Sequence, residues 1–342
     1  MSLEFLPYLT SLIVALGSAF YLTKRWIPAA RYFGLVGKDM NKYAQPEVAE
    51  GGGISVVIGI TFGLFSYLFL KAFIITPTHL VEIYSVISVI LLAGLLGFAD
   101  DILGWKKGIR QRRKVLLSAA IALPMMTLTL LHPEYNTFSS WGIPLWFYAL
   151  IIVPIGIIGA SNAVNMVAGY NGLEAGLGAI ILATLAIQVY ILQEMWVAYM
   201  AIIGVATLLG FLYFNWYPAK VFPGDSLSYS LGAYIGALVI LGNIEIFGVL
   251  LFPLFFLDFI LYFKARKIDN MGDVQAFGVP DENGHLELPY EKIYDSCHLA
   301  IKIQKKLMGY ATERGVVIIL LSIQALISLI VLLLYNLLSL LF

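Results

Sequence analysis

Residues 83–101 read IYSVISVILLAGLLGFADD, a predominantly apolar run that ends in two adjacent aspartates. A helix needs about 20 mainly apolar residues to cross a bilayer. The whole chain of 342 residues is 60% hydrophobic and 12% charged, which is far more apolar than a soluble domain. The sequence therefore predicts an all-α polytopic membrane protein that forms a single domain over residues 1–342. Ten spans are predicted, centred near residues 16, 62, 90, 123, 152, 182, 205, 235, 253 and 327.

The basic residues divide the connecting loops into two sets. Twenty of the 21 Lys and Arg residues fall in or beside one set, and only Lys71 belongs to the other. The positive-inside rule makes the basic set cytoplasmic and puts both termini outside. The basic set consists of residues 27–50, 100–113, 161–171, 215–227 and 264–313.

The last of these loops, residues 264–313, is the longest. Its second part alternates apolar residues with Lys302, Lys305 and Lys306, and this pattern predicts an amphipathic helix at the membrane interface.

Charge and cysteine content exclude several classes of protein. Twenty-one basic residues balance 21 acidic ones, so the chain lacks the broad positive field of a nucleic-acid-binding protein. The single cysteine, Cys297, excludes an internal disulfide framework and a cysteine-based zinc site.

Four cytoplasmic segments carry polar residues that membrane folding alone does not require. The first is residues 37–42, GKDMNK, followed by Glu50 and three glycines. The second joins Asp100 and Asp101 to the basic run from Lys106 to Lys114. Adjacent carboxylates at the end of a span are best tolerated beside a cation or metal, and a basic run suits a polyanion.

The third and fourth segments are rich in amides and turns. Residues 162–174, NAVNMVAGYNGLE, contain three asparagines and no basic residue, so membrane topology does not explain them. Residues 215–226, NWYPAKVFPGDS, present Asp225 directly after a Pro-Gly turn. Asp225 suits a metal ligand, and capping of the following helix is the structural alternative.

Carboxylates and amides without His or Cys favour Mg²⁺ or Mn²⁺ over zinc. Magnesium is commonly held by one or two carboxylates together with substrate phosphates. The residues alone therefore indicate phosphoryl chemistry between a soluble nucleotide and a lipid.

Together, the four segments resemble those of the polyprenyl-phosphate N-acetylhexosamine-1-phosphate transferases, and most resemble the eukaryotic and archaeal dolichyl-phosphate branch. They occur in the family's order, and the resemblance covers residues 1 to about 263. It implies that a dolichyl or polyprenyl phosphate attacks the β-phosphorus of UDP-GlcNAc. The products would be dolichyl-diphosphate-GlcNAc and UMP, in the first membrane step of N-glycan or other lipid-linked glycan assembly.

The resemblance also implies roles for individual residues. Asn165 and Asp225 would hold Mg²⁺, with Mn²⁺ as the alternative ion. The catalytic residues would be Asp100, Asp101 and the phosphate-binding Lys114, with Asp100 orienting the nucleophile or a cation. Glu50, Gly169 and Asn171 would receive the uridine. Further substrate contacts are predicted for Lys38, Asp39, Asn41, Lys42, Asn162 and Arg266.

The last loop departs from the family pattern. Residues 274–280, VQAFGVP, stand where the eukaryotic enzymes have Arg-His-Arg-Ile-Pro-Arg, so the identity of the sugar rests on analogy. His285 and His298 stand alone and are predicted to be surface residues.

Several alternatives stay open. The same chemistry could use another UDP-sugar, or the chain could transport nucleotide sugars or lipid-linked sugars. An archaeal-type plasma membrane is predicted as the location, with the endoplasmic reticulum as the alternative. A homodimer is open as an alternative to a monomer.

Overall fold

The structure is a computed structural model that describes residues 5–74, 78–103, 111–167, 169–272 and 274–339. The side chains of residues 111–118 and 339 lie outside this description. Within it, the helices are α1 (Leu6–Tyr32), α2 (Gly53–Ile74), α3 (Leu80–Leu103), α4 (Gln111–Leu131), α5 (Leu145–Phe147), α6 (Val153–Met166), α7 (Leu173–Ile191), α8 (Met195–Asn215), α9 (Gly224–Leu241), α10 (Glu245–Leu250), α11 (Pro253–Phe263), α12 (Ser296–Met308) and α13 (Glu313–Ser339).

The described residues include eight helices that are long and apolar enough to cross a membrane. One of them, Leu145–Met166, joins α5 to α6 through a π-helical turn over Tyr148–Ile152. The predicted spans near residues 123 and 253 correspond to shorter apolar helices, Ala119–Leu131 within α4 and the 11-residue α11. The prediction of a helical polytopic membrane protein is confirmed, and the count of ten spans stays a prediction.

Helix α9 forms the centre of the bundle. Its span window is 89% buried, whereas those of α1 and α13 are 28% buried. Close approach depends on glycines in the contact faces. A Cβ atom on Gly97 of α3 would lie 2.3 Å from the carbonyl oxygen of Asp225, and one on Gly232 would lie 2.4 Å from that of Ala160 on α6. Larger residues at these positions would separate α9 from its neighbours.

Short β segments fix the loops at one end of the bundle. Strand β1 (Val36–Lys38) pairs antiparallel with β2 (Glu47–Ala49), and β3 (Val279–Pro280) pairs with β4 (Leu286–Glu287). The chain after β2 is also bonded to the segment before α9. The Phe222 amide donates to Ala49 at 2.7 Å, and the Gly53 amide donates to Pro223 at 2.8 Å. These bonds bring two of the polar sequence segments side by side.

The amphipathic helix predicted in the last loop corresponds to α12. It buries Ala300, Ile301 and Gln304, and its opposite face exposes Lys302 and Lys306. Asp258 of α11 accepts hydrogen bonds from the amide and hydroxyl of Ser296, at 2.6 and 2.9 Å, and thereby holds the start of α12.

The prediction that His298 is a surface residue is wrong. Its side chain is fully buried, and its ring contacts the Gln275 carbonyl at 3.0 Å. Burial lowers the pKa of His298, which favours the neutral ring.

Candidate active site

All four polar segments of the sequence contribute to one cavity of about 750 Å³ at the end of the bundle where α3 ends and α9 begins. Eight of the predicted site residues line it: Lys38, Asp39, Asn41, Glu50, Asp101, Gly169, Asn171 and Asp225. The cavity is also lined by the aromatic residues Tyr170, Phe222 and Phe277. Polar groups that are distant in sequence thus surround a single space of ligand size.

Asp101 holds the first turn of α9. Its two carboxylate oxygens accept hydrogen bonds from the backbone amides of Asp225, at 2.7 Å, and Ser226, at 3.1 Å. A helix begins with amides that have no partner within the helix, and a carboxylate satisfies them well. Gly224 has a φ of +69°, and a Cβ atom there would lie 2.5 Å from an Asp101 oxygen, so a side chain would disrupt the contact.

Asp225 and Ser228 line the cavity, and Asn165, which is not part of the lining, is bonded to both of them. The Asn165 amide nitrogen donates to Asp225 Oδ1 at 2.9 Å and contacts Ser228 Oγ at 2.8 Å. The amide, the carboxylate and the hydroxyl are hard oxygen donors of the kind that Mg²⁺ prefers. Neither here nor elsewhere among the described residues are three His, Cys, Asp or Glu side chains placed together to hold a metal, so a cation here would depend on the amide, the hydroxyl and substrate oxygens as well.

A second wall of the cavity is a network of buried amides and carboxylates. The Asn41 amide donates to the Gly169 carbonyl at 3.0 Å, and the Asn171 amide donates to Asp39 Oδ2 at 3.1 Å. The amide of Gly169 in turn donates to Glu174 Oε1 at 3.0 Å. The chain between α6 and α7 is therefore held against the β1–β2 loop.

Glu50 lies at the junction of β2 and α2. Its carbonyl accepts a 2.7 Å hydrogen bond from the Trp26 indole, which fixes the backbone while the carboxylate lines the cavity. Burial raises the pKa of Glu50 above its ordinary value. The charge of this carboxylate is therefore sensitive to pH nearer to neutrality than that of an exposed glutamate.

Three buried side-chain oxygens around the cavity have no hydrogen-bond partner within the described chain: Asn41 Oδ1, Glu174 Oε2 and Asn215 Oδ1. A buried polar atom without a partner costs free energy, and such atoms in native proteins usually serve a ligand, an ion or water. Their grouping at one cavity indicates a polar ligand there.

The other predicted site residues lie outside the set that lines the cavity. Asn162 donates to the Ile158 carbonyl of its own helix at 2.8 Å. Arg266 is exposed, 5.9 Å from the centre of the Tyr262 ring. Asp100 is half-buried at the end of α3, and Lys42 lies behind Asp39. The side chain of Lys114 lies outside the described residues.

Outside the four polar segments, sequence reasoning missed Ser228, Phe277 and Glu313. Phe277 of the last loop lines the cavity and packs edge-on against Tyr170, whose hydroxyl accepts from the Gly278 amide at 3.0 Å. The side chain of Glu313, the first residue of α13, accepts a hydrogen bond from the Asn171 backbone amide at 3.0 Å. An acidic residue directly before a long apolar run is a signal for a helix start, but it carries no information about a tertiary partner.

These features define a polytopic helical membrane protein with a polar, acidic and amide-lined cavity at one end of the bundle. A family model described as glycosyl transferase family 4 matches residues 83–243. This range contains three of the four polar segments.

Curated relatives extend the match over most of the chain. A Saccharolobus solfataricus protein, provisionally named UDP-N-acetylglucosamine–dolichyl-phosphate N-acetylglucosaminephosphotransferase, is 33% identical over 332 residues, which cover 95% of this chain and 94% of the relative. A Sulfolobus acidocaldarius protein with the same provisional name is 30% identical over 89% of this chain and 94% of its own length. A phospho-N-acetylmuramoyl-pentapeptide-transferase of Staphylococcus epidermidis is 31% identical over 70% of this chain and 78% of its own length.

The chain belongs to glycosyl transferase family 4, together with these archaeal and bacterial membrane transferases. The family resemblance inferred from the four polar segments is thereby confirmed.

Proposed function

We propose that this protein transfers GlcNAc-1-phosphate from UDP-GlcNAc to dolichyl or polyprenyl phosphate and releases UMP. The observation that carries the proposal is the convergence of the four polar segments on one cavity, in a chain whose archaeal relatives carry the name of this activity. In the reaction, an oxygen of the lipid phosphate forms a bond to the β-phosphorus. The bond from that phosphorus to the oxygen bridging to UMP breaks, and UMP leaves with the electron pair.

The amide-rich wall of the cavity is suited to the nucleoside. Asn171, Asn41, Gly169 and Glu50 all line the cavity, and their amide and carboxylate groups can form hydrogen bonds with a polar ring. Phe222 and Phe277 add aromatic surfaces on which such a ring can stack. This half of the cavity would therefore bind uridine.

Asn165, Asp225 and Ser228 fit a divalent cation by their chemistry, and we assign them to Mg²⁺ or Mn²⁺. A metal at this place would neutralise the charge of the pyrophosphate during transfer. Asp101 would act indirectly on the metal, because its hydrogen bond holds the backbone of Asp225. The residues of the chain thus orient the donor, while the acceptor phosphate is itself a competent nucleophile.

An apolar groove of about 490 Å³ suits the lipid chain of the acceptor. It runs along the π-helical turn and α6, from Tyr148 to Ala163, and is also lined by residues of α9, α10 and α11. At one end, the lining of the groove includes Ala163, which precedes Asn165 by two residues in α6. A lipid in this groove would present its phosphate to the donor without leaving the bilayer.

The proposed topology has ten spans, a cytoplasmic site and both termini outside, in an archaeal-type plasma membrane. Thiol labelling tests it, because the one native cysteine, Cys297, is buried. Ser139→Cys and Asn283→Cys introduce exposed thiols in the loop before α5 and in the last loop. An impermeant reagent applied to intact cells should label the first and spare the second, whereas the reverse pattern would contradict the orientation.

The activity is tested by UMP release from detergent-purified protein given dolichyl phosphate, Mg²⁺ and a panel of UDP-sugars. We expect release with UDP-GlcNAc, and loss of release in Asp225→Ala. Release only with a different UDP-sugar would support the same transfer reaction and identify that UDP-sugar as the donor. Protein that binds UDP-sugars and releases no UMP with any of them would refute the transferase and favour transport.

A further inference from the structure

Glu313 connects two loops that form the wall of the cavity, although it does not itself line the cavity in the described chain. Its Oε1 accepts a hydrogen bond from the Asn171 backbone amide at 3.0 Å, and its Oε2 accepts one from the Lys42 ammonium group at 3.0 Å. The side chain of Glu313 is only 3% exposed. One carboxylate at the start of α13 thus reaches both the α6–α7 loop and the β1–β2 loop.

The contacts close into a ring of four residues, in which Asn171 takes part through both its side chain and its backbone amide. Lys42 also forms an ion pair with Asp39, and Asp39 accepts from the Asn171 side chain at 3.1 Å. The ring runs from Glu313 to Lys42, from Lys42 to Asp39 and from Asp39 to the Asn171 side chain, and the Asn171 backbone amide closes it by donating to Glu313. Asp39 and Asn171 line the cavity, whereas Lys42 and Glu313 lie behind them.

The charges of the ring depend on one another. Burial of the Lys42 ammonium group lowers its pKa, but the hydrogen bond to Asp39 and the charge of Glu313 raise the pKa above its ordinary value. Lys42 also lies 4.8 Å from the centre of the Tyr217 ring. A buried carboxylate that loses its cation is costly, so each member of the ring holds the others in place.

We propose that Glu313, acting through Lys42 and Asn171, is a positioning residue that holds the nucleotide-binding wall of the cavity in its binding conformation. The inference rests on the proposed function in assigning this wall to the nucleoside of a UDP-sugar. A purely structural role would have a different consequence. An acidic residue in the first turn stabilises a helix, and its loss would lower the melting temperature without changing nucleotide affinity in the folded protein.

The test compares Glu313→Gln with Glu287→Gln. Both remove one carboxylate that is paired with a lysine, and Glu287 is exposed and bonded to Lys305 away from the cavity. Glutamine at 313 can still accept from Asn171, but it no longer neutralises Lys42. We expect the Kd for UDP, measured by calorimetry, to rise about tenfold in Glu313→Gln, and not in Glu287→Gln. The KM for UDP-GlcNAc should rise in parallel, with kcat within about twofold of the parent value.

Lys42→Met provides the second variant. It removes the opposite charge of the ring, and the ammonium side chain that it replaces is 19% exposed, which makes the change easier for the fold to accept. We expect Lys42→Met to weaken UDP binding as well, and the double variant with Glu313→Gln to be weaker by less than the product of the two single effects.

The outcomes separate the inference from the proposed function. Unchanged UDP affinity in folded Glu313→Gln and Lys42→Met protein would overturn the positioning role, even if UMP release is normal. UDP binding with the expected differences, in a protein that releases no UMP, would keep the positioning role and refute the transferase. A parent protein that does not bind UDP would overturn both.

Discussion

The carboxylate of Asp101 accepts a 2.7 Å hydrogen bond from the backbone amide of Asp225, the residue that we assign to the metal. Its second oxygen is bonded to the next amide of α9, so both oxygens are committed to the start of that helix. A carboxylate that satisfies two helix amides is poorly placed to accept a proton from a nucleophile. We therefore interpret Asp101 as the group that positions Asp225.

Asp101→Asn should distinguish a role in positioning Asp225 from a role as general base. Asparagine keeps one acceptor but turns an N–H₂ group toward the second amide, which costs about 1–3 kcal/mol of local stability. We expect the Mg²⁺ concentration for half-maximal UMP release to rise about tenfold, and the melting temperature to fall. The turnover rate at saturating Mg²⁺ should stay within about tenfold of the parent value. A fall of 10²–10⁴ in turnover with no change in Mg²⁺ dependence would instead indicate a general base.

Asp100 is the remaining candidate for such a base. A phosphate monoester has its second pKa at about 6, so the lipid phosphate is largely dianionic at neutral pH and gains little from a base. We expect Asp100→Asn to lower kcat/KM and to leave the acid limb of the pH–rate profile unchanged, because that limb would report protonation of the lipid phosphate. An acid limb that moves, together with recovery of activity at raised pH, would contradict an orienting role.

The divalent cation can be tested at Asn165 and Ser228. Asn165→Ala removes the amide that bonds both Asp225 and the Ser228 hydroxyl, whereas Ser228→Ala removes only one hydroxyl. We expect the half-saturating concentrations of Mg²⁺ and Mn²⁺ to increase in both variants, and more in Asn165→Ala. Equal UMP release in EDTA-treated and Mg²⁺-supplied parent protein would contradict the metal assignment.

How much of this site could be predicted depends on the range of the interactions. Asn165, Asp225 and the paired aspartates were recognisable because polar groups at the ends of apolar helices have few structural reasons to exist. That Asp101 caps α9 could not be predicted, because its partner lies 124 positions away. Glu313 was missed for the same reason, since it reads locally as an ordinary helix start.

For the fold as well, local features could be predicted from the sequence and long-range contacts could not. The apolar runs predicted most helices, because hydropathy acts over single segments. The central place of α9 was not predicted. It depends on close contacts between helices at Gly97 and Gly232, and the sequence of one helix does not show which other helices it contacts.

The raised pKa of Glu50 predicts a pH dependence of nucleotide binding. Its carboxylate would accept the imide N–H of uracil, and protonation removes the negative charge that strengthens this hydrogen bond. Because burial raises the pKa, the loss begins at a higher pH than for an exposed glutamate. We expect the parent protein to bind UDP more tightly than Glu50→Gln at about pH 7.5, with the difference disappearing as the pH falls. A ratio of the two Kd values that is constant from pH 7.5 to 5 would contradict this role.

The apolar groove predicts a variant that affects only the lipid acceptor. Gly159 lies on the groove wall, and a Cβ atom there would meet no atom within 4 Å, so Gly159→Phe projects a ring into the space assigned to the lipid. We expect the KM for dolichyl phosphate to rise at least tenfold while the Kd for UDP is unchanged, because the polar cavity is not altered. Gly17→Phe is the matched control, since Gly17 of α1 is exposed with equally open space and lies outside the groove lining within the described residues. Equal effects of the two substitutions would reflect a general response of the membrane helices, and the groove would then not be the acceptor site.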